Sequence, residues 1–533
     1  MTNFIIPAPW HVEATGGQFT LRFGDSVACA TDGLTVLADQ FVQELSAAAD
    51  LRLVVGETGA VRLGISDDLG AETRPPGTHG LSPTEAGPLS EQYRLTVSSD
   101  GVAIVGTSRE AVFRGLTSLR HLIEHSPADG GAVVLPTLEI VDAPRYGWRG
   151  LSLDVARTFF SVDEVKRVID QLARFKLNVL HLHLSDDQGW RLQIDSWPNL
   201  TRVGGAGAVA DRPGGYYTAD EFRDLVHYAE QRFVSIVPEI DLPGHCQAVF
   251  ASYPELRPSA PDIAPGIPIS SLDPDHPGTM DFVRDVFAEL ADLSPAPYVH
   301  IGADEPFGMD DEKYERFVAE QCRIIDGLGK KAIGWQEAAR AGDGAPAVVQ
   351  YWMHQPEGMA TPDQYADLGL DLPPEVLDVI VANVTRATTD LPAALAQGAR
   401  VVMSPLAFTY LDRPYGEQGA PEQEGDRARL GLSLYPGTSV EESVSWDPLT
   451  ILPDVTSEDD MAGIEAVIWC ETLADFNELQ FMLQPRLAGV AERAWTRPGP
   501  IEWDDYATRL AAQARWWRRD GWNFFRAASV DWS

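Results

Sequence analysis

After Asp142-Ala143-Pro144 the chain becomes a series of short apolar runs, each ending in polar or aromatic residues and separated from the next by a segment of helical spacing. The runs are Trp148–Asp154, Asn178–Leu184, Phe233–Ile240, Tyr298–Asp304, Lys331–Trp335, Val348–Trp352, Arg400–Ser404 and Glu465–Trp469. Few folds accommodate this pattern. A strand that is apolar without alternation has to be covered on both faces, as parallel strands are when helices connect them. Eight such strand–helix units predict an α/β fold of the (β/α)8 type, a TIM barrel. Between the first two runs, Val165, Val168, Ile169, Leu172 and Phe175 fall on one helical stripe. Ser161-x-x-Glu164 and Thr218-x-x-Glu221 have the form of capping boxes that open helices. The run Leu377–Ala382 reads as a ninth strand inside an insertion, Ala360–Asp390.

A chain of 533 residues exceeds what one hydrophobic core usually supports. The stretches Gln18–Phe23, Val61–Ile65, Tyr93–Val97 and Gly101–Val105 alternate as strands do, with helix-like segments between them, so the barrel is preceded by a small α+β domain. Gly70–Leu89, rich in Gly, Pro, Thr and Glu, reads as a surface loop. After Glu502 a last amphipathic helix carries Trp516, Trp517 and Trp522, which pack it on the barrel. The expected division is an N-terminal domain over 1–142, a catalytic barrel over 143–502 and a C-terminal helical segment over 503–533.

Charge narrows the partners. Seventy-nine acidic against 41 basic residues give −38, which repels nucleic acid and anionic membrane surfaces. No apolar run approaches the roughly 18 residues that span a bilayer. Cys29, Cys246, Cys322 and Cys470 lie far apart without CxxC spacing, so free thiols are expected rather than a zinc knot or a disulfide framework. The opening residues lack a basic stretch followed by a long apolar one, which points to the cytoplasm. A mature chain already relieved of its leader would read the same and be secreted.

Barrel active sites are built where the strands end. The residues there include Arg157, Asp186, Asp187, Glu239, His245, His300, Asp304, Glu305, Trp335, Trp352, Tyr410, Asp412, Trp469 and Glu471. Adjacent acids mean little in so acidic a chain, but Asp304-Glu305 stands at a strand end. Glycoside hydrolysis needs one carboxyl that carries a proton for the leaving oxygen, and something opposite to meet positive charge at the anomeric carbon. Two sequence neighbours are poorly placed to flank one sugar. If the substrate's own 2-acetamido oxygen attacks instead, both acids can act from the protein side.

Four segments, Gly150-Leu-Ser-Leu-Asp-Val-Ala-Arg157, His181-Leu-His-Leu-Ser-Asp-Asp-Gln-Gly-Trp190, Pro238-Glu-Ile-Asp-Leu-Pro-Gly-His245 and His300-Ile-Gly-Ala-Asp-Glu305, resemble the signature blocks of glycoside hydrolase family 20, the β-N-acetylhexosaminidases. Gly334-Trp335, Gln350-Tyr-Trp352, Thr409-Tyr-Leu-Asp412 and Trp469-Cys-Glu471 resemble its later site segments in order, so the likeness covers nearly the whole chain. The resemblance implies that Glu305 is the general acid and later the base, and that Asp304 orients the acetamido group and stabilises an oxazolinium intermediate. It implies that Tyr410 donates to the acetamido oxygen, that Arg157, Asp412 and Glu471 grip sugar hydroxyls, and that Trp335, Trp352 and Trp469 wall the pocket. Asp186 and His245 would hold Glu305 from behind. The implied partner is a glycan with a terminal β-linked N-acetylhexosamine, with no metal or other cofactor. Two departures stand out: Ala303 occupies a position where Gly is frequent, and Pro306 follows the acids.

Two other readings compete. His181-x-His183, with His245, His300 and Asp304 nearby, has the residue types of a barrel metallohydrolase, although the HxH falls before the strand's end. A non-catalytic sugar-binding barrel would also use Trp walls and hydroxyl-gripping acids, but it has no need of a proton donor at Glu305.

Overall fold

The computed structural model describes residues 4–49, 51–70, 77–84, 91–258, 271–353 and 373–532. Its centre is a closed barrel of parallel strands: β1 (Trp148–Asp154), β2 (Val179–His183), β3 (Ser235–Glu239), β4 (Tyr298–His300), β5 (Lys331–Trp335), β6 (Val348–Tyr351), β7 (Arg400–Met403) and β8 (Met461–Ile468). Each strand pairs with the next, and β8 closes on β1, with Ile468 opposite Leu153. The apolar runs reach past the strands at several ends: Tyr298–Asp304 loses its ladder after His300, and Gly302 to Glu305 form a separate turn.

The helix Val162–Arg174 buries Val165, Val168, Ile169 and Leu172 completely, worth roughly 1.5–3 kcal/mol per side chain. The Glu164 carboxylate accepts the Ser161 amide at its start at 2.7 Å. Ahead of Ala219–Glu230 the capping box closes in both directions, Thr218 N to Glu221 at 2.8 Å and Glu221 N to the Thr218 hydroxyl at 3.2 Å. The run Leu377–Ala382 is not a strand: it lies within the helix Pro374–Ala396, which leads into β7. A six-residue apolar run satisfies either period, and here the connection between two parallel strands decides it. Residues 360–372 of the anticipated insertion lie outside the described residues.

The barrel interior is layered. At the N-terminal end of the strands Trp148, Val179, Val237, Tyr298, Ile333, Val348, Val402 and Ala462 form an apolar plug. Above it lies a layer of His181, Glu239, His300, Gln350 and Glu465, all buried. Gly150 makes room for this layer, because a Cβ there would meet the Glu465 carboxylate at 2.3 Å.

Residues 11–142 form an eight-stranded sheet in which the long strand His11–Arg22 runs antiparallel to Ala132–Asp142. The anticipated strands Val61–Ile65, Tyr93–Val97 and Gly101–Val105 belong to it, the last two each running one residue further, as Tyr93–Ser98 and Gly101–Gly106. Of the anticipated loop Gly70–Leu89, residues 71–76 and 85–89 lie outside the described residues, while His79 bridges to Tyr146. The sheet is fastened to the barrel by buried charge: Asp142 accepts Lys176 Nζ at 2.9 Å and Trp495 Nε1 at 3.0 Å, and Glu91 joins Arg149 at 2.6 Å and Arg114 at 2.8 Å. The helix Trp503–Arg519 packs Trp516 and Trp517 into the main core, and Trp522 follows them. All four cysteines are free thiols. Among the described residues no helix is long and apolar enough to cross a membrane.

Candidate active site

The two acids owe their position to an unusual turn. Gly302, Ala303 and Glu305 all have positive φ, of 68°, 76° and 43°. A Cβ at Gly302 would lie 1.8 Å from the Asp241 carboxylate, so only glycine fits. Ala303 bears the left-handed penalty of roughly 1–2 kcal/mol that a glycine would avoid. It is held there by its own amide on Asp241 at 3.0 Å and by the Tyr314 hydroxyl on its carbonyl at 2.6 Å. Strain fixed by surrounding bonds is a frequent mark of functional loops.

Behind the acids stands His245, itself at φ 47°. Its Nε2 is 3.5 Å from Glu305 and 3.8 Å from Asp304, and its Nδ1 is 3.4 Å from Asp186. Burial disfavours a charged His245, but Asp186 and Asp304 outweigh it and raise its proton affinity well above the ordinary imidazole value. Burial likewise opposes the Asp186 charge, yet Arg157, His245 and His183 hold that carboxyl well below the usual range. Asp304 moves the other way: burial first, then the neighbouring Glu305 charge, push its carboxyl up against the pull of His245.

The pocket that these groups share has a volume of about 470 Å³ counting its mouth, within the range of small-ligand sites. Arg157, Asp304, Glu305, Trp352, Tyr410, Trp469 and Glu471 line it, with His245 at its back. Trp352 and Tyr410 lie nearly parallel with ring centres 6.4 Å apart, and Trp469 meets Tyr410 edge-on at the same distance. The Arg157 guanidinium sits 4.8 Å over the Trp469 ring and is anchored to Asp186 at 2.7 Å. Its Nε, Asp304 Oδ1 and Glu471 Oε2 are buried without a protein partner, which suits a ligand rich in hydroxyls and amide.

Two anticipated residues sit deeper than expected. Trp335 does not face the cavity: it is 1% exposed, donates its indole N–H to Glu239 at 2.9 Å, and backs Trp469 at 5.9 Å. It supports the wall and is not its surface, because β5 ends with this side chain still inside the barrel. Asp412 is fully buried beneath the pocket, and burial followed by the Glu471 charge pushes its carboxyl up to about 8. Three lining residues escaped the sequence reading: Asp241, Leu432 and Tyr435. Asp241 belongs to the Pro238–His245 segment, and its place two residues beyond β3 was a findable signal. Leu432 and Tyr435 arrive on an irregular stretch after β7 that carries no periodic mark. Larger hollows where the sheet meets the barrel lie away from the strand ends.

Among the described residues, four His and acid groups are close enough to hold an ion, including His181, Glu239 and His300, and His183, Asp186 and Asp241. Their imidazoles are already engaged: His181 Nδ1 with Glu465 at 2.9 Å, and His183 with Glu239 at 2.7 Å and Asp186 at 2.9 Å. None of the four groups includes an open, solvent-facing imidazole pair of the kind catalytic zinc uses.

Comparison with known proteins agrees with this architecture. The catalytic domain of glycosyl hydrolase family 20 matches residues 146–498, and that family's domain 2 matches residues 2–143. The chain is 37% identical to a β-N-acetylhexosaminidase of Cellulomonas fimi over 540 aligned positions, covering 99% of this chain and 97% of that one. Among solved structures, the Streptomyces plicatus N-acetyl-β-hexosaminidase in complex with Thio-NAglucal superposes with a TM-score of 0.79 at 36% identity, covering 100% of this chain and 98% of that chain. The family 20 β-N-acetylhexosaminidase of Streptomyces coelicolor A3(2) gives 0.80 at 36%, covering 100% and 99%. Matches over the whole length, to both parts of the fold, place this chain in glycosyl hydrolase family 20 and make it a glycoside hydrolase of the β-N-acetylhexosaminidase kind.

Proposed function

We propose that the enzyme removes terminal, non-reducing β-linked GlcNAc or GalNAc from glycans by substrate-assisted catalysis with retention of configuration. The observation that carries this reading is the placing of Asp304 and Glu305 on one strained turn, both facing one pocket and both within 4 Å of His245. From that side Glu305 protonates the leaving oxygen and then serves as base toward water, while Asp304 takes the acetamido N–H and steadies the oxazolinium formed by internal attack. Tyr410 donates to the acetamido oxygen. Arg157 and Glu471 hold the ring hydroxyls, with Asp412 reached only by a hydroxyl that enters beneath them, and Trp352 and Trp469, backed by Trp335, enclose the acetamido methyl and the C–H face of the sugar. The names of the relatives described above support the substrate class. The division into 1–142, 143–502 and 503–533 belongs to the same reading.

The experiment is hydrolysis of p-nitrophenyl β-N-acetylglucosaminide and its galacto epimer by wild type and Glu305→Gln, with chelator present throughout. Rapid release by wild type and slower release by Glu305→Gln, β-configured early product and strong inhibition by a thiazoline mimic of the cyclised intermediate are expected. Rapid hydrolysis of p-nitrophenyl β-glucoside, which lacks the acetamido group, would overturn the mechanism.

A further inference from the structure

The HxH motif on β2 and Glu239 at the end of β3 do not line the sugar pocket. Both side chains of the His183–Glu239 pair are fully buried and touch no part of the cavity. His183 Nδ1 lies 2.7 Å from Glu239 Oε2, and its Nε2 lies 2.9 Å from Asp186 Oδ2. Arg157 Nη1 also lies 3.3 Å from Nε2, but Glu239 and Asp186 outweigh both it and burial, and hold the ring as an imidazolium. Glu239 is secured from its other side by Trp335 Nε1 at 2.9 Å and His300 Nδ1 at 3.0 Å.

The consequence falls on Asp186. Its Oδ2 meets two cations, His183 and Arg157 at 2.7 Å, while Oδ1 accepts the Asp187 amide at 2.6 Å and faces His245 at the longer distance of 3.4 Å. Divided among these cations, the carboxylate still raises the proton affinity of His245, but by less than it would with His245 as its sole partner. We propose that Glu239 and His183 are positioning residues that limit the hold of Asp186 on His245, so that the proton His245 shares with Glu305 passes to Glu305 as the leaving group departs. Without the His183 charge, Asp186 holds the His245 proton more firmly, and less of it reaches Glu305 for the leaving group. One proton moves between His245 Nε2 and Glu305, which lie 3.5 Å apart. The inference rests on Glu305 as the acid.

The test uses the whole enzyme and two leaving groups. p-Nitrophenolate departs with little help from an acid, whereas the sugar alcohol released from N,N′-diacetylchitobiose needs the proton. Wild type and Glu305→Gln are compared first: if Glu305→Gln loses equally on both substrates, the assignment of the acid fails and the inference with it. Given that bias, Glu239→Gln and His183→Gln are each expected to lose about ten-fold more kcat on chitobiose than on the nitrophenyl substrate, with KM changed less than about three-fold. Placed in the Glu305→Gln background, neither is expected to cost more, as residues acting through one group are not additive. Equal loss on both substrates, or full additivity with Glu305→Gln, would overturn the proposal. Histidine-selective ¹⁵N NMR of the wild type is independent of whether the variants fold: His183 is expected to carry hydrogen on both nitrogens at pH 7, and a neutral ring would overturn it as well.

Discussion

Arg157 and Asp186 form an ion pair of 2.7 Å, with the aspartate buried, between the pocket and the acid. One oxygen of Asp186 therefore steadies the sugar-gripping guanidinium while the other faces His245 at 3.4 Å. Asp186→Asn removes both services at once. Breaking a buried pair from one side costs about 3–5 kcal/mol, part of which appears here as lost transition-state binding. We expect kcat/KM to fall by roughly a hundred-fold or more, with KM raised and kcat lowered, whereas Glu305→Gln lowers kcat alone. Steady-state kinetics of the two variants on one substrate separate the cases. An Asn variant with an unaltered KM would show that Arg157 holds its pose without this partner.

Gly302 supplies the second prediction. Its φ of 68° and the 1.8 Å that would separate an added Cβ from the Asp241 carboxylate leave no room for alanine. Gly302→Ala is expected to cost about 2–5 kcal/mol from strain and overpacking, and to displace Asp304 and Glu305, so that activity falls further than stability alone explains. Denaturant unfolding alongside kinetics checks this. A variant of wild-type stability and activity would mean that the turn can be rebuilt with the side chain present.

Glu337 carries a pH dependence. It accepts the Trp352 indole N–H at 3.1 Å, and burial, then the charges of Asp304 and Asp390 against the pull of Arg340, raise its carboxyl to about 8. A carboxyl raised in the folded state contributes stability that is complete below its unfolded value and is lost as pH climbs toward and through about 8. Asp412, also near 8, acts in the same direction. Asp186 and Glu239, both lowered, contribute stability that disappears on acidification. Maximum stability is thus expected on the weakly acidic to neutral side. Glu337→Gln keeps an acceptor for Trp352 and removes one titration, so its Tm should fall less between pH 6 and pH 9 than that of wild type, by about 2 °C. Parallel slopes in thermal scans would show that the native carboxyl is ionised throughout.

Much of this site was readable because chemistry in a barrel is confined to strand ends, where Arg157, Asp304, Tyr410, Trp469 and Glu471 could be located by counting apolar runs. Depth was not readable. Trp335 and Asp412 stand at equivalent strand ends yet lie beneath the cavity floor, since a strand's tilt and the turn after it decide how far a side chain rises. The run Leu377–Ala382 misled because Val379, Ile380 and Val381 favour strands while their neighbours on the helix Pro374–Ala396 supply the opposing face. Tyr435 and Leu432 owe their place to an irregular segment that only tertiary packing brings over the pocket.

Lys176 stands at φ 58° just beyond the first barrel helix, with its ammonium 2.9 Å from both Asp142 and the Tyr93 hydroxyl and 4.5 Å above the Trp495 ring. Cutting the chain ahead of β1 would leave this cation facing water from a socket shaped for a carboxylate, and would strip Trp495 of the apolar surface it covers. The catalytic barrel is therefore unsuited to life as a minimal fragment: whoever wishes to shorten this enzyme or graft its site elsewhere has to carry the preceding sheet along as part of the same machine.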